Sequence, residues 1–236
     1  MSTTDELEKE IGIQFKDKKL LEQVFIHRSY LNEHRNSSLE HNERLEFLGD
    51  AVLELAVTEY LYGKYNKPEG ELTSWRSALV KGESLSEEAK RLGINELIKT
   101  SRGEAKNLGK ARDLILANAF EALVGGIYLD QGYDVVSEFI EQNICYKLKD
   151  ILEKGLYYDP KSKFQELSQE SLSITPTYEV VSEEGPDHAK VFVVAAYLGD
   201  QKIAEGQGPS KQRAQSDAAK KSLESWDETI SNFNSK

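Results

Sequence analysis

Between Lys154 and Pro160 the pattern of this chain changes, and that change constrains the fold more than any other feature. Upstream, apolar residues recur at three- and four-residue intervals, the period of an amphipathic helix. The spacing predicts a long helix over about 43–65, broken by Asn66-Lys67-Pro68-Glu69-Gly70. Further helical patterns follow at about 71–82, 84–92, 109–129 and 133–152, punctuated by Gly93, Gly103 and Gly132. Thr3-Thr4-Asp5-Glu6 reads as a capping box, Asp17 as the cap of a second helix, and Asn42 as the cap of the long one. Downstream of Pro160 a helix over 161–171 is expected. Three β-like runs come next: Thr177–Ser182, Val191–Leu198 and Gln201–Gly206. Turns fall at Glu184-Gly185-Pro186-Asp187 and Gly199-Asp200, and a last helix runs from near Ser210 to about Trp226. The expectation is a multidomain chain: an all-α domain over 1–152, a linker at 153–159 and a small α-β-β-β-α domain of the α+β class over 160–226. A polar tail at 227–236 is expected to fray.

Composition narrows the function classes. No stretch of the 236 residues approaches the roughly 20 apolar residues a membrane span needs. Met1 to Glu10 is polar and acidic, without the basic and apolar regions of a signal peptide. A single cysteine, Cys145, excludes a disulfide framework and a cysteine-rich zinc site. These features lead us to expect a cytoplasmic protein with no membrane association. The net charge of −11 opposes nonspecific attraction to nucleic acid, so any basic surface must be local. Acids that gather divalent cations also contribute negative charge, which the metal offsets when bound.

The densest chemistry lies in Asn42-Glu43-Arg44-Leu45-Glu46-Phe47-Leu48-Gly49-Asp50-Ala51-Val52-Leu53. On a helix, Glu43, Glu46 and Asp50 fall within an arc of about 60°, while Leu45, Leu48 and Val52 point away from it. Three acids on one stripe repel one another unless a cation neutralises them, and hard divalent cations favour such oxygen ligands. The plainer reading is a solvated acidic face with Arg44 as local partner. Against it, apolar residues flank the acids on both sides, so the helix reads as largely buried, and buried carboxylates need partners. Gly49 costs a helix about 1 kcal/mol relative to Ala, which a close approach of another helix or a ligand would explain. Asn118 and Glu121 form a second polar pair on one helix face, amid the small and apolar residues of Leu116 to Gly126. By itself this pair is a polar tie within a bundle.

The segment from Glu43 to Leu53 resembles the hallmark of the ribonuclease III family. The resemblance extends to His27-Arg28-Ser29-Tyr30, to the run from Glu121 to Asp130, and to a C-terminal region similar to a double-stranded-RNA-binding domain. It implies a Mg²⁺-dependent endonuclease of double-stranded RNA, with Mn²⁺ as a possible substitute and no small-molecule cofactor. Glu46 and Glu121 would ligate the metal, and Asp50 would be both a ligand and the acid that positions water. Asp50 and Glu121 are thus the catalytic residues, with Asn118 at a fourth ligand position. Glu43 and Glu69 match acids at the subunit interface and around the cleft of a homodimer whose two sites each cut one strand. Products would carry 5′-phosphate and 3′-hydroxyl ends, and processing of ribosomal and other precursor RNAs is expected. Where the family has an aspartate, this chain has Asn118; an amide oxygen still binds Mg²⁺ but brings no charge. Asp113, about 140° around the helix, is a poor substitute. Three readings follow: a variant that keeps activity, a substitution that traps substrate, or a cleavage-deficient dimeric RNA-binding protein.

In the C-terminal region the resemblance implies RNA contacts from Ser162, Gln165 and Gln169 on the first helix. Gly185, Pro186 and His188 would contribute from the first strand turn, and Ser210, Lys211 and Arg213 from the start of the last helix. Such domains read A-form shape more than sequence. Taken singly, a helix glutamine is a surface residue, Gly-Pro a turn and Ser210 a cap; it is their joint order that matters. Residues 160–226 carry eight Lys and Arg against ten Asp and Glu, so phosphate binding is expected to be weak and strongly salt-dependent. No His, Ser or Cys nucleophile is required. His27 reads as a packing or capping residue, His34 and His41 as loop residues, and Cys145 as a core thiol.

Overall fold

A computed structural model describes residues 4–34, 39–106, 108–186 and 190–234. The chain forms two compact units, residues 1–157 and 158–236. The first is helical: α1 Thr4–Ile11, α2 Lys18–Val24, α3 Arg28–Glu33, α4 Glu43–Lys64, α5 Glu69–Val80, α6 Gly82–Arg91, α7 Ile94–Leu97, α8 Lys110–Gln131, α9 Tyr133–Asn143 and α10 Leu148–Glu153. Short 3₁₀ turns lie at Glu104–Lys106 and Cys145–Lys147. Its centre is α8, in which eleven residues between Ile115 and Ile127 are buried, a helix apolar on nearly every side. The apolar face of α4 (Leu45, Val52, Leu53, Ala56, Val57, Leu61) packs on it.

Asp17 caps α2 as expected, accepting from the amides of Lys19 and Leu20. Asn42 stands before α4 but makes no cap; its amide donates to the Val24 carbonyl at 3.0 Å and ties α4 to α2. The expected capping box lies partly outside the described residues, since Thr3 is not among them. The single helix expected over 133–152 is broken. The buried Asn143 donates to the Phe139 carbonyl and accepts from Arg91, and Ile144 leaves helical geometry at φ −120°. Tyr157, inside the stretch read as a linker, packs edge-on against Trp75 with ring centroids 6.2 Å apart.

The second unit runs α11 Pro160–Leu172, β1 Thr177–Glu184, β2 Val191–Leu198, β3 Gln201–Gly208, α12 Lys211–Glu224 and α13 Trp226–Asn234. The strands form an antiparallel sheet in the order β1-β2-β3. Phe164, Ala196, Leu198, Ala218 and Ala219 form its core. The third strand, expected to end at Gly206, runs on to Gly208. A side-chain carbon on Gly206 would sit 2.0 Å from the Ala218 amide nitrogen, so α12 rests directly on the strand backbone. The tail expected to fray is instead α13; Trp226 stacks edge-on against Phe164, and Phe233 packs on the same core.

Candidate active site and RNA-binding surface

The candidate active site grows out of the crossing of α4 and α8. A side-chain carbon on Gly125 would fall 2.3 Å from the Leu45 carbonyl oxygen, and one on Gly49 would strike the carbonyl of Glu121. Only glycines permit this approach, which brings the acids of α4 beside the polar residues of α8. Glu46 and Asp50 lie one turn apart on α4, and Asn118 and Glu121 three residues apart on α8.

Their electrostatics record the proximity. Burial, with the charges of Asp50 and Glu46 adding to it, pushes the Glu121 carboxyl up to about 7. Glu46 is also raised, by burial first, then by Glu43 and Asp50, while a hydrogen bond from the Asn118 side chain opposes the rise. Asp50 itself is exposed, and Glu46 and Glu121 are half-buried. The helix is therefore open to solvent along its acidic stripe, where the sequence suggested burial; Phe47, between the acids, is 81% exposed. Among the described residues no three Asp, Glu, His or Cys side chains already stand in ligating geometry. The cluster is one of carboxylates that repel one another, with an amide beside Glu46. A donor set of three carboxylates and one amide oxygen suits a hard divalent cation, and so do three acids that no basic side chain among the described residues pairs with.

The remaining acids divide. Glu43 is exposed at the edge of the cluster, 3.7 Å from Arg28 and 3.7 Å from His41. Glu69 opens α5 and lines a separate surface groove with Tyr62, Tyr65, Leu72 and Arg76. Asp113 is engaged elsewhere, 2.5 Å from Lys90. His27 caps α3, accepting from the Ser29 amide, and burial lowers its pKa. His34 stacks on Tyr30 at 4.0 Å, and the thiol of the buried Cys145 is pushed up to about 12. Two contributors lay in segments that carry the resemblance but were assigned no role. Arg28, the partner of Glu43, carried no signal by itself. Gly125 did carry one: a Gly-Gly pair inside an otherwise strongly apolar helix.

In the second unit Ser162, Gln165 and Gln169 are exposed along one face of α11. Asp159 caps that helix through the Ser162 amide at 2.9 Å, and Gln169 donates to the Thr175 hydroxyl at 3.1 Å. Gly185 takes φ +94° and begins the turn after β1, with Pro186 next. His188 lies outside the described residues. Ser210 caps α12 through the Arg213 amide, so Lys211 and Arg213 flank the N-terminus of a 14-residue helix, whose dipole favours anions.

Comparison with known proteins agrees with both units. Residues 17–148 match the ribonuclease-III-like family, and residues 160–225 match the double-stranded RNA binding motif. Ribonuclease 3 of Streptococcus pneumoniae strain P1031 is 46% identical over 219 residues, covering 92% of this chain and 94% of that protein. Ribonuclease 3 of strain CGSP14 matches to the same extent. A solved nuclease domain of ribonuclease III from Campylobacter jejuni, described for flexibility in a region involved in dimer formation, aligns with a TM-score of 0.54. It is 38% identical and covers 60% of this chain and 98% of its own.

Proposed function

This chain belongs to the ribonuclease III family, and from that premise we propose that it hydrolyses double-stranded RNA with Mg²⁺, leaving 5′-phosphate and 3′-hydroxyl ends. The observation that carries the reading is the convergence of Glu46, Asp50 and Glu121 with Asn118 across the glycine crossing. Glu46, Asp50, Glu121 and the Asn118 carbonyl would hold the cation, which supplies Lewis acidity and charge neutralisation at the attacked phosphate. Asp50, the exposed member, orients the attacking water and accepts its proton. Glu46 and Glu121 are carried by two helices locked backbone to backbone, so binding the cation asks only their side chains to turn, not the helices to move. The second unit holds the duplex through Ser162, Gln165 and Gln169, through the turn at Gly185 and Pro186, and through Ser210, Lys211 and Arg213.

The active form we propose is a homodimer built on α4. Phe47, Leu55 and Tyr62 are 81%, 57% and 81% exposed and follow one stripe of that helix. An apolar stripe of this length on a surface marks an interaction face. We place the enzyme in the cytoplasm, processing ribosomal and other precursor RNAs. Among the described residues no helix is long and apolar enough to cross a membrane.

The test is incubation of a long RNA duplex with Mg²⁺ or Mn²⁺, comparing the chain with Glu121→Gln. Cleavage to 5′-phosphate ends by the former, with binding and no cleavage by the latter, is the expected result. A second reading, a dimeric binding protein that does not cut, rests on Asn118, whose amide faces Glu46 where the family carries a charge. It predicts that the duplex stays intact with either metal.

A further inference from the structure

We infer that Glu183 is a built-in competitor for RNA phosphate: its carboxylate occupies the lysines of the second unit that would otherwise grip the duplex backbone. The inference rests on the RNA-binding reading of that unit. Glu183 stands near the end of β1, directly opposite Phe192 of β2. Its carboxylate lies 2.9 Å from the Lys211 ammonium and 3.6 Å from that of Lys190. Both ammoniums sit over the Phe192 ring, 5.7 Å and 5.9 Å from its centroid.

One acid therefore bridges two elements. Lys190 follows the β1–β2 turn, and Lys211 is the first residue of α12. Phe192 supplies a platform on which two like charges stand close together, and Glu183 offsets their repulsion. The Lys211 contact holds the Glu183 carboxyl below the usual carboxylate range, so the acid is ionised at neutral pH, where the lysines are charged. An RNA phosphate approaching Lys211 must displace a carboxylate already in place, and that carboxylate repels the phosphate. The ion pair is exposed on both sides, so it opens readily and sets a threshold rather than a block. In a unit with more acids than bases, this contact cancels positive charge where a phosphate grip needs it.

The experiment measures equilibrium binding of the full chain to a blunt RNA duplex of about 20 base pairs, with chelator present so that no cleavage occurs. Glu183→Gln should bind roughly fivefold tighter at low salt, with a steeper dependence on salt concentration, and the gain should fade as salt rises. The gain should vanish in a Lys190→Ala/Lys211→Ala background. Glu224→Gln, which removes an exposed acid at the far end of α12, should gain far less. Unchanged or weaker binding by Glu183→Gln overturns the inference. So does a gain that survives loss of both lysines, or an equal gain from Glu224→Gln, which would make net charge the cause. If neither the parent chain nor any variant binds duplex at low salt, the RNA-binding reading of the unit fails with it.

Discussion

Gly49 and Glu121 meet backbone to backbone: a side-chain carbon placed on Gly49 would lie 1.7 Å from the Glu121 carbonyl oxygen. The residue that carries the most perturbed carboxyl of the cluster is thus positioned through its main chain by a glycine on the neighbouring helix.

Gly49→Ala should cost about 3 kcal/mol, because neither backbone can yield without separating α4 from α8. At Gly63, near the open end of the same helix, an added side-chain carbon would meet nothing within 4 Å. Gly63→Ala should gain about 0.5–1 kcal/mol from helix propensity and lost unfolded-state entropy. Urea denaturation of the two variants separates the effects; similar midpoints would show that the crossing tolerates a methyl group.

Metal-free protein should lose stability as pH rises from about 4.5 to about 7. Glu121 keeps its proton in the folded state up to about 7, whereas the unfolded chain releases it near 4.5. The folded state therefore binds more protons across this window, and stability falls with pH until both states are ionised. The loss should be of the order of 2 kcal/mol. Glu121→Gln should flatten the slope and raise the denaturation midpoint at pH 8 in chelator. A slope equal to that of the parent chain would place the titration elsewhere.

Asn118→Asp should tighten Mg²⁺ binding about tenfold or more by adding a charged ligand. It should also destabilise the metal-free chain, since a hydrogen bond to Glu46 becomes a repulsion. Two readouts, the Mg²⁺ concentration for half-maximal thermal stabilisation and that for half-maximal cleavage, should fall together. If both stay where they were, Asn118 stands outside the metal's coordination sphere.

If the proposed homodimer forms through α4, Phe47→Glu and Tyr62→Glu should each leave only monomer in sedimentation experiments, since each puts a charge on the exposed stripe of that helix. Leu156→Glu, at another exposed apolar position, is the matched control and should leave the association unchanged.

The acids on α4 were legible because helical periodicity alone puts Glu43, Glu46 and Asp50 on one stripe. The pairing of that stripe with Asn118 and Glu121 was not, since periodicity says nothing about which helices touch. Here the resemblance to a family supplied the link. Secondary structure failed where a side chain found a tertiary partner better than the local one. Asn42 tied itself to the Val24 carbonyl rather than capping, and Asn143 ended a helix by joining Arg91. The segment after Trp226 looked frayed because it is polar, yet Trp226 and Phe233 reach the core beneath it.

From sequence alone came the expectation of a linker within 153–159, the main helices of the first unit, the helix and three strands of the second, the acidic stripe and, through the family resemblance, the missing charge at Asn118. These depend on local periodicity, turn chemistry and residue identity, which adjacent residues carry. The tertiary structure decided the glycine crossing, the raised Glu121 carboxyl and the single acid shared by Lys190 and Lys211. Each of these arises between different elements of the fold, whose spacing no local sequence pattern sets.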